Sequence, residues 1–253
     1  MAVLEYLGLL VAAFAAGAIN AVAGGGSLIS FPALLAAGYA PKTANVTNTV
    51  ALWPGYAGGS YNYRPELGRQ RRRVFALLAP SVAGALAGSI ILLATPASAF
   101  DAIVPYLILF ACLLMAVQDQ LAAFARTHHL ASRGDGHVPL LLLAATFVLA
   151  IYGAYFGAGL GIIMLAFLGV LLPDDIQHSN ALKGMLSLII NAVAVLYFVV
   201  FGPVRWAPAA VMAVGAIAGG YLGAGLARRL GRRWLRIAVI AYGLVVVAIL
   251  FLK

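Results

Sequence analysis

Arg64-Pro-Glu-Leu-Gly-Arg69-Gln-Arg71-Arg-Arg73 is one of two arginine-rich stretches in a chain otherwise almost without charge; the other is Arg228-Arg229-Leu-Gly-Arg232-Arg233-Trp-Leu-Arg236. Their meaning depends on the solvent around the chain. Of 253 residues, 64% are hydrophobic, 28 are glycine and only 9% are charged, with a mean hydropathy of +1.03. Soluble domains run near 25% charged. Sixteen basic and seven acidic side chains cannot clothe a soluble surface of this size. The single cysteine, Cys112 in an apolar run, excludes a disulfide framework, and the apolar content excludes a disordered chain. The solvent is lipid, so the net charge of +9 is first a statement about topology.

A spanning helix needs about 20 mostly apolar residues. Apolar runs between charged or Pro/Gly punctuation fall at Val3–Val22, a short Ser30–Tyr39, Thr43–Tyr61, Val74–Leu93 and Ala99–Leu121. A polar linker follows, and the scheme repeats: Val138–Tyr155, a short Gly161–Leu172, Ser179–Phe201, Trp206–Leu226 and Trp234–Leu252. The runs are unbroken rather than alternating, which excludes a β-barrel. The first run lacks a basic start, so no cleaved signal peptide is expected. The two series align without gaps at one offset, which sets Gly24 on Gly159, Gly26 on Gly161, Asn45 on Asn180, Asn48 on Lys183, Gly84 on Gly219 and Gly88 on Gly223. An internal duplication is the expectation.

The arginines then orient the halves. Positive charge collects on cytoplasmic loops. The first half carries Arg64–Arg73 where the second has only Arg205; the second carries Arg228–Arg236 where the first, from Thr95 to Asp101, has no basic residue. For both clusters to be cytoplasmic, each long–short opening pair must leave and return to the same side, as a hairpin or a broken-helix pair. Three full spans then follow, and the halves are inverted. The expected fold is an all-α polytopic membrane protein of two inverted repeats, over residues 1–123 and 138–253, joined by a cytoplasmic linker at 124–137. The N-terminus, Lys42 and Lys253 are expected outside, Asp174 and Asp175 inside.

Chemistry is expected at the breaks. The first reads Asn20-Ala-Val-Ala-Gly24-Gly25-Gly26-Ser27-Leu-Ile-Ser30-Phe-Pro32, with Ser30 and Pro32 expected to cap and start the short helix. The second reads Tyr152-Gly-Ala-Tyr-Phe-Gly157-Ala-Gly159-Leu-Gly161. Unwound backbone at membrane depth is tolerated only where protein or a watery cavity satisfies it, and a half-helix starting there points free N–H groups at an anion. The following spans are polar: Asn45, Thr47, Asn48 and Thr49 in the first, Asn180, Lys183, Ser187 and Asn191 in the second. Such groups face the interior or a substrate, or bond neighbouring helices. Lys183 begins about one turn inside its span with no acidic residue at i±3 or i±4, and either snorkels to the interface or faces an anion; His178 lies at the membrane edge.

The acidic residues Glu5, Asp101, Asp119, Asp174 and Asp175 sit near the ends of runs, which argues against a buried-carboxylate relay and fits an anionic substrate. His128, His129 and His137 read as solvated linker, so no metal and no cofactor are expected. There is no nucleophile-and-base spacing of an enzyme, and no polar module to present a nucleic-acid surface. The stripes Gly84-Ala-Leu-Ala-Gly88 and Gly215-Ala-Ile-Ala-Gly219-Gly-Tyr-Leu-Gly223 predict close helix crossings, within the fold or in a homodimer.

Asn20-Ala-Val-Ala-Gly-Gly-Gly-Ser27, Pro32, Gly38-Tyr39 and Ala44-Asn-Val-Thr-Asn-Thr49 resemble the opening of the TauE/SafE sulfite exporter family, and Gly157–Gly161 with the Gly219–Gly223 helix resembles its second repeat. Where many members have a proline early in the second short helix, this chain has Phe167. The resemblance implies a bacterial inner-membrane transporter for sulfite, organosulfonates or related sulfur-containing or carboxylate anions. The residues expected to bind substrate are Asn20, Gly24, Gly25, Gly26, Ser27, Asn45, Asn48, Thr49, Gly159, Gly161, Asn180, Lys183 and Asn191. An anion or solute channel and a non-transporting scaffold are the alternatives.

Overall fold

The computed structural model describes residues 2–22, 24–61, 63–127, 138–172, 176–230 and 232–252. The expected linker histidines, Asp135, Asp174, Asp175 and Lys253 lie outside the described residues. Every regular element among the described residues is a helix: α1 (Ala2–Val22), α2 (Ser27–Ala36), α3 (Pro41–Tyr61), α4 (Arg64–Arg69), α5 (Arg71–Ala94), α6 (Ala97–Ala116), α7 (Gln118–Thr127), α8 (Leu140–Tyr155), α9 (Leu160–Leu171), α10 (Ile176–Phe201), α11 (Trp206–Leu230) and α12 (Arg232–Phe251). Val3–Ala21 of α1, all of α5 and α6, and Gln177–Phe201 of α10 are long and apolar enough to cross a membrane.

Two expected boundaries move, and one expected loop holds a helix. The run Ala99–Leu121 does not stay whole, because Gln118-Asp119-Gln120 is too polar to continue a span. α6 ends at Ala116, and the chain turns into amphipathic α7, which packs on α9. The basic loop contains the short helix α4, begun by Pro65 in its first turn. The short helix α2 starts at Ser27, three residues before the expected cap, which leaves Pro32 inside it. Gly24 and Gly25, at φ +77° and +103°, turn the chain tightly enough for the earlier start. The capping role expected of Ser30 falls elsewhere: Asn20 Oδ1 accepts the Gly26 N–H at 2.8 Å.

The opening helices form a hairpin. A side chain on Gly26 would run into the carbonyl of Ala16, and Tyr39 beyond the end of α2 donates its hydroxyl to Glu5 Oε1 at 3.5 Å near the start of α1. Both ends of the α1–α2 pair therefore lie at one face of the molecule.

The small-residue stripes set the main crossings. Gly215 abuts Leu10 and Gly219 abuts Phe14, so α11 runs parallel to α1 with backbones in contact. Gly84 abuts Phe147 and Gly88 abuts Ile151, which places α5 parallel to α8 in the same way. Without a hydrophobic drive in lipid, such close approach is where packing energy is found. The starts of α3 and α10, of α5 and α11, and of α6 and α12 are each 135 residues apart. Two of these pairs touch, and each runs antiparallel. In α3 and α10, Thr47 meets Arg205 just past the far end of α10, Trp53 meets Leu188, and Ser60 meets Gly184. In α6 and α12, Tyr106 stacks edge-on against Phe251 while Cys112 faces Gly243.

These contacts fix the ends. Lys42 Nζ, at the start of α3, donates to Leu93 O (2.6 Å) and Thr95 O (2.7 Å) at the finish of α5. α5 begins at Arg71, so Arg71 lies at the end opposite Lys42. α6 then returns to the arginine end, where Asp119 pairs with Arg236. Arg236 and Arg64–Arg73 thus share one end of the molecule.

Candidate functional site

The two breaks are built alike. In the first, Gly24 N–H donates to Ile19 O (3.1 Å), Gly26 N–H to Asn20 Oδ1, and the Gly26 carbonyl accepts Ile29 N–H (2.9 Å) as α2 begins. In the second, Gly157 and Gly159 stand at φ +74° and +78°, Gly157 N–H donates to Tyr152 O (3.0 Å), and Gly159 O accepts Ile162 N–H (3.0 Å). The Tyr152 hydroxyl clasps the second break by donating to Ala158 O. Glycine is required at Gly24 for two reasons: the left-handed φ, and a Cβ that would lie 2.9 Å from Gly161 Cα. The breaks therefore touch each other, Gly24 on Gly161.

The polar residues of α3 and α10 are buried. Asn45, Thr47, Asn48 and Thr49 are all 9% exposed or less, as are Ser179, Lys183, Ser187 and Asn191. A buried amide or hydroxyl without a partner costs about 1–3 kcal/mol, and most of these groups find one. Asn45 Nδ2 donates to Tyr155 O (2.8 Å) at the last residue of α8, which ties α3 to the second break. Thr49 Oγ1 returns to Asn45 O (3.0 Å) and Asn191 Nδ2 to Ser187 O (2.8 Å), the local back-bonding that lets polar groups sit inside an apolar helix. Lys183 Nζ donates to Asn180 Oδ1 (3.2 Å). Asn48 Oδ1 has no hydrogen-bond partner among the described residues.

The expected residues do not form one cluster. Gly24 meets Gly161 and Gly25 comes beside Ile162, whereas Gly26, just before Ser27, packs on Ala16 and Gly159 packs on Leu114 and Ala111; Asn20 closes the first break, and Asn45 reaches the second. Asn48 and Lys183 separate. Each lies five residues from the Trp53–Leu188 crossing, on opposite sides because the helices are antiparallel. At 1.5 Å per residue this puts them about 15 Å apart along the pair. The Lys183 ammonium moreover turns toward Asn180, away from the crossing. The arrangement is a set of buried polar side chains along α3 and α10, tied to the second break through Asn45, with a cation near the arginine end. An apolar groove of about 1040 Å³ between α1, α2 and α12 is separate; its wall of Ala, Leu and Val offers an anion almost no donor.

Two contributors escaped the sequence. Gln70, 5% exposed before α5, donates Nε2 to His178 O (2.9 Å) at the start of α10. Met115 of α6 lies over Gly25, so α6 covers the first break. Neither residue type in isolation signals such a role; only the offset, which pairs Gln70 with Arg205, hinted that both sit at a junction. Among the described residues no group of three or more His, Cys, Asp and Glu side chains could hold a metal.

Comparison with known proteins finds relatives named as membrane transporters. The chain is 29% identical over 231 residues, 90% of its length and 87% of the relative's, to a protein of Haemophilus influenzae called a probable membrane transporter protein. It is 30% identical over 227 residues, 89% of its length and 84% of the relative's, to the probable membrane transporter protein ORF9 of a Sinorhizobium species. Over 230 residues it is 26% identical to the probable membrane transporter protein YfcA of Escherichia coli, covering 88% and 81% of the two chains. No solved structure matches. These names denote transporters rather than enzymes, and the helices are those of a multi-pass membrane protein. The profile described as Sulfite exporter TauE/SafE matches residues 9–250, and the chain belongs to that family.

Proposed function

We propose that the protein is a carrier that moves a small anion, such as sulfite, an organosulfonate or a carboxylate, across the bacterial cytoplasmic membrane by alternating access. One observation carries the reading: the two glycine breaks meet, Gly24 against Gly161, and Asn45 on the polar face of α3 bonds Tyr155 O at the second of them. Paired breaks in corresponding positions mark the substrate site of inverted-repeat transporters. The Gly24 and Gly26 amides are engaged inside the break, so the amides of Gly25 and Ser27, with those of Gly159 and Gly161, receive the anion. Asn45, Asn48, Thr49 and, three residues past the crossing, Asn191 line its path on the Lys42 side, and Asn180 and Lys183 on the arginine side, where Lys183 supplies charge.

Inversion of the halves, residues 1–123 and 138–253, is supported by three features: the 135-residue spacing of helix starts, the antiparallel α3/α10 and α6/α12 pairs, and the sharing of one end by Arg236 and Arg64–Arg73. The positive-inside rule makes that end cytoplasmic. The stripes Gly84–Gly88 and Gly215–Gly219 are used inside the chain, at α5/α8 and α1/α11, so a homodimer draws no support from them.

The test is a thermal-shift titration of purified protein with sulfite, thiosulfate, sulfonates and dicarboxylates, followed by counterflow of the stabilising anion in proteoliposomes. Wild type should be stabilised by at least one of them and Lys183→Met by none. A protein that no anion stabilises, or a variant that responds like wild type, sinks the proposal. Continuous current without counterflow would make it a channel.

A further inference from the structure

We infer that Asn48 holds an exchangeable monovalent cation, of the size and hardness of Na⁺, which serves the first half of the protein as the Lys183 ammonium serves the second. Asn48 is 2% exposed, and among the described residues nothing donates to its amide oxygen. A buried acceptor left without a donor is costly enough to need an explanation. The surroundings favour positive charge. Asn45, one turn earlier on the same face of α3, bonds the carbonyl of Tyr155, the last residue of α8. A helix C-terminus carries partial negative charge within its last turn, and half-helix ends of this kind, with unwound carbonyls, coordinate coupling cations in broken-helix carriers.

The correspondence between the halves sharpens this. At the offset of 135, Asn45 and Asn48 fall on Asn180 and Lys183. In the second half the amide oxygen of Asn180 accepts from the ammonium of Lys183 at 3.2 Å, so that position has a built-in cation. The first half puts two amides at the same i, i+3 spacing and leaves an acceptor without a donor. Asn48 offers a neutral amide oxygen, a ligand that suits a monovalent ion better than Ca²⁺ or Mg²⁺, which draw on acidic ligands. A cation bound here would put positive charge on both sides of the Trp53–Leu188 crossing, so that an anion passing along these polar side chains meets one on either side. That coupling rests on the carrier reading above; cation binding does not.

The experiment is a thermal-shift titration of the full chain in detergent with NaCl, LiCl or KCl replacing choline chloride at constant chloride, ionic strength and pH, with no sulfur anion present. Wild type should show a saturating rise in melting temperature with Na⁺. Asn48→Lys, which copies the second half, should fold and lose the response. Asn48→Asp should keep it at several-fold lower Na⁺ concentration. No response of wild type to any of the three cations overturns the inference, as does a Na⁺ response of Asn48→Lys equal to wild type. Sulfite titration at fixed Na⁺ is read separately, so failure of the anion site and failure of the cation site are distinguishable.

Discussion

Gly24→Ala tests whether the contact between the two breaks matters or whether the turn alone does. Two costs add at this position. The backbone stands at φ +77°, where an L side chain costs about 1–2 kcal/mol. The new Cβ would also lie 2.9 Å from Gly161 Cα and 3.3 Å from Gly161 C, backbone atoms that cannot swing aside; forced overpacking of this kind costs about 1–3 kcal/mol. Gly38 supplies the control. It stands at φ +86° with nothing within 4 Å of its Cβ position, so Gly38→Ala bears only the backbone cost. The entropy that alanine removes from the unfolded chain is common to both variants and cancels. Gly24→Ala should therefore be less stable than Gly38→Ala by the overpacking cost. At roughly 2–4 °C per kcal/mol for a chain of 150–250 residues, that is a melting temperature lower by about 2–12 °C. Thermal unfolding in detergent, followed by tryptophan fluorescence, measures the difference. Equal melting temperatures would refute the claim that Gly24 packs on Gly161, and with it the observation on which the transport reading stands.

Lys42→Met removes a cation from two carbonyls at the end of α5; charge-assisted bonds of this kind contribute about 1.5–3 kcal/mol, so a clear loss of melting temperature is expected. Asp119→Ala breaks the Asp119–Arg236 pair, but the carboxylate is 75% exposed and the change should stay within about 0.5 kcal/mol by the same measurement. Gly84→Val drives a branched side chain into the carbonyl of Phe147 and should prevent α5 from seating on α8, seen as loss of folded protein in size-exclusion chromatography. Cysteines placed at exposed Gly68 and Ala40 should label from the cytoplasmic and the outer side respectively, with buried Cys112 silent; labelling of both from one side would remove α3 as a span.

Much of the fold is legible in the chain. Apolar run lengths locate the long helices, the glycine clusters locate both breaks, and a single offset anticipates where α3, α5 and α6 are echoed. These features are local: each depends on a window no longer than a membrane is thick. The start of α2 was less legible, because a side chain six residues away, Asn20, caps the break in place of Ser30. The end of α6 is hidden in the length of its apolar run, because three polar residues, Gln118, Asp119 and Gln120, outweigh the apolar ones around them.

Composition and the arginine pattern alone determined that the chain lives in lipid and that two basic stretches should share a face. They also determined that polar side chains on two corresponding helices must turn inward, since lipid offers amides and ammonium groups nothing to bond. The tertiary structure decided where those side chains stand relative to one another. Asn48 and Lys183 look like members of one site in the sequence, yet the antiparallel crossing at Trp53 and Leu188 sets them on opposite sides of it. The position of a crossing depends on which backbone meets which, here through glycines on four different helices, and no single segment carries that information.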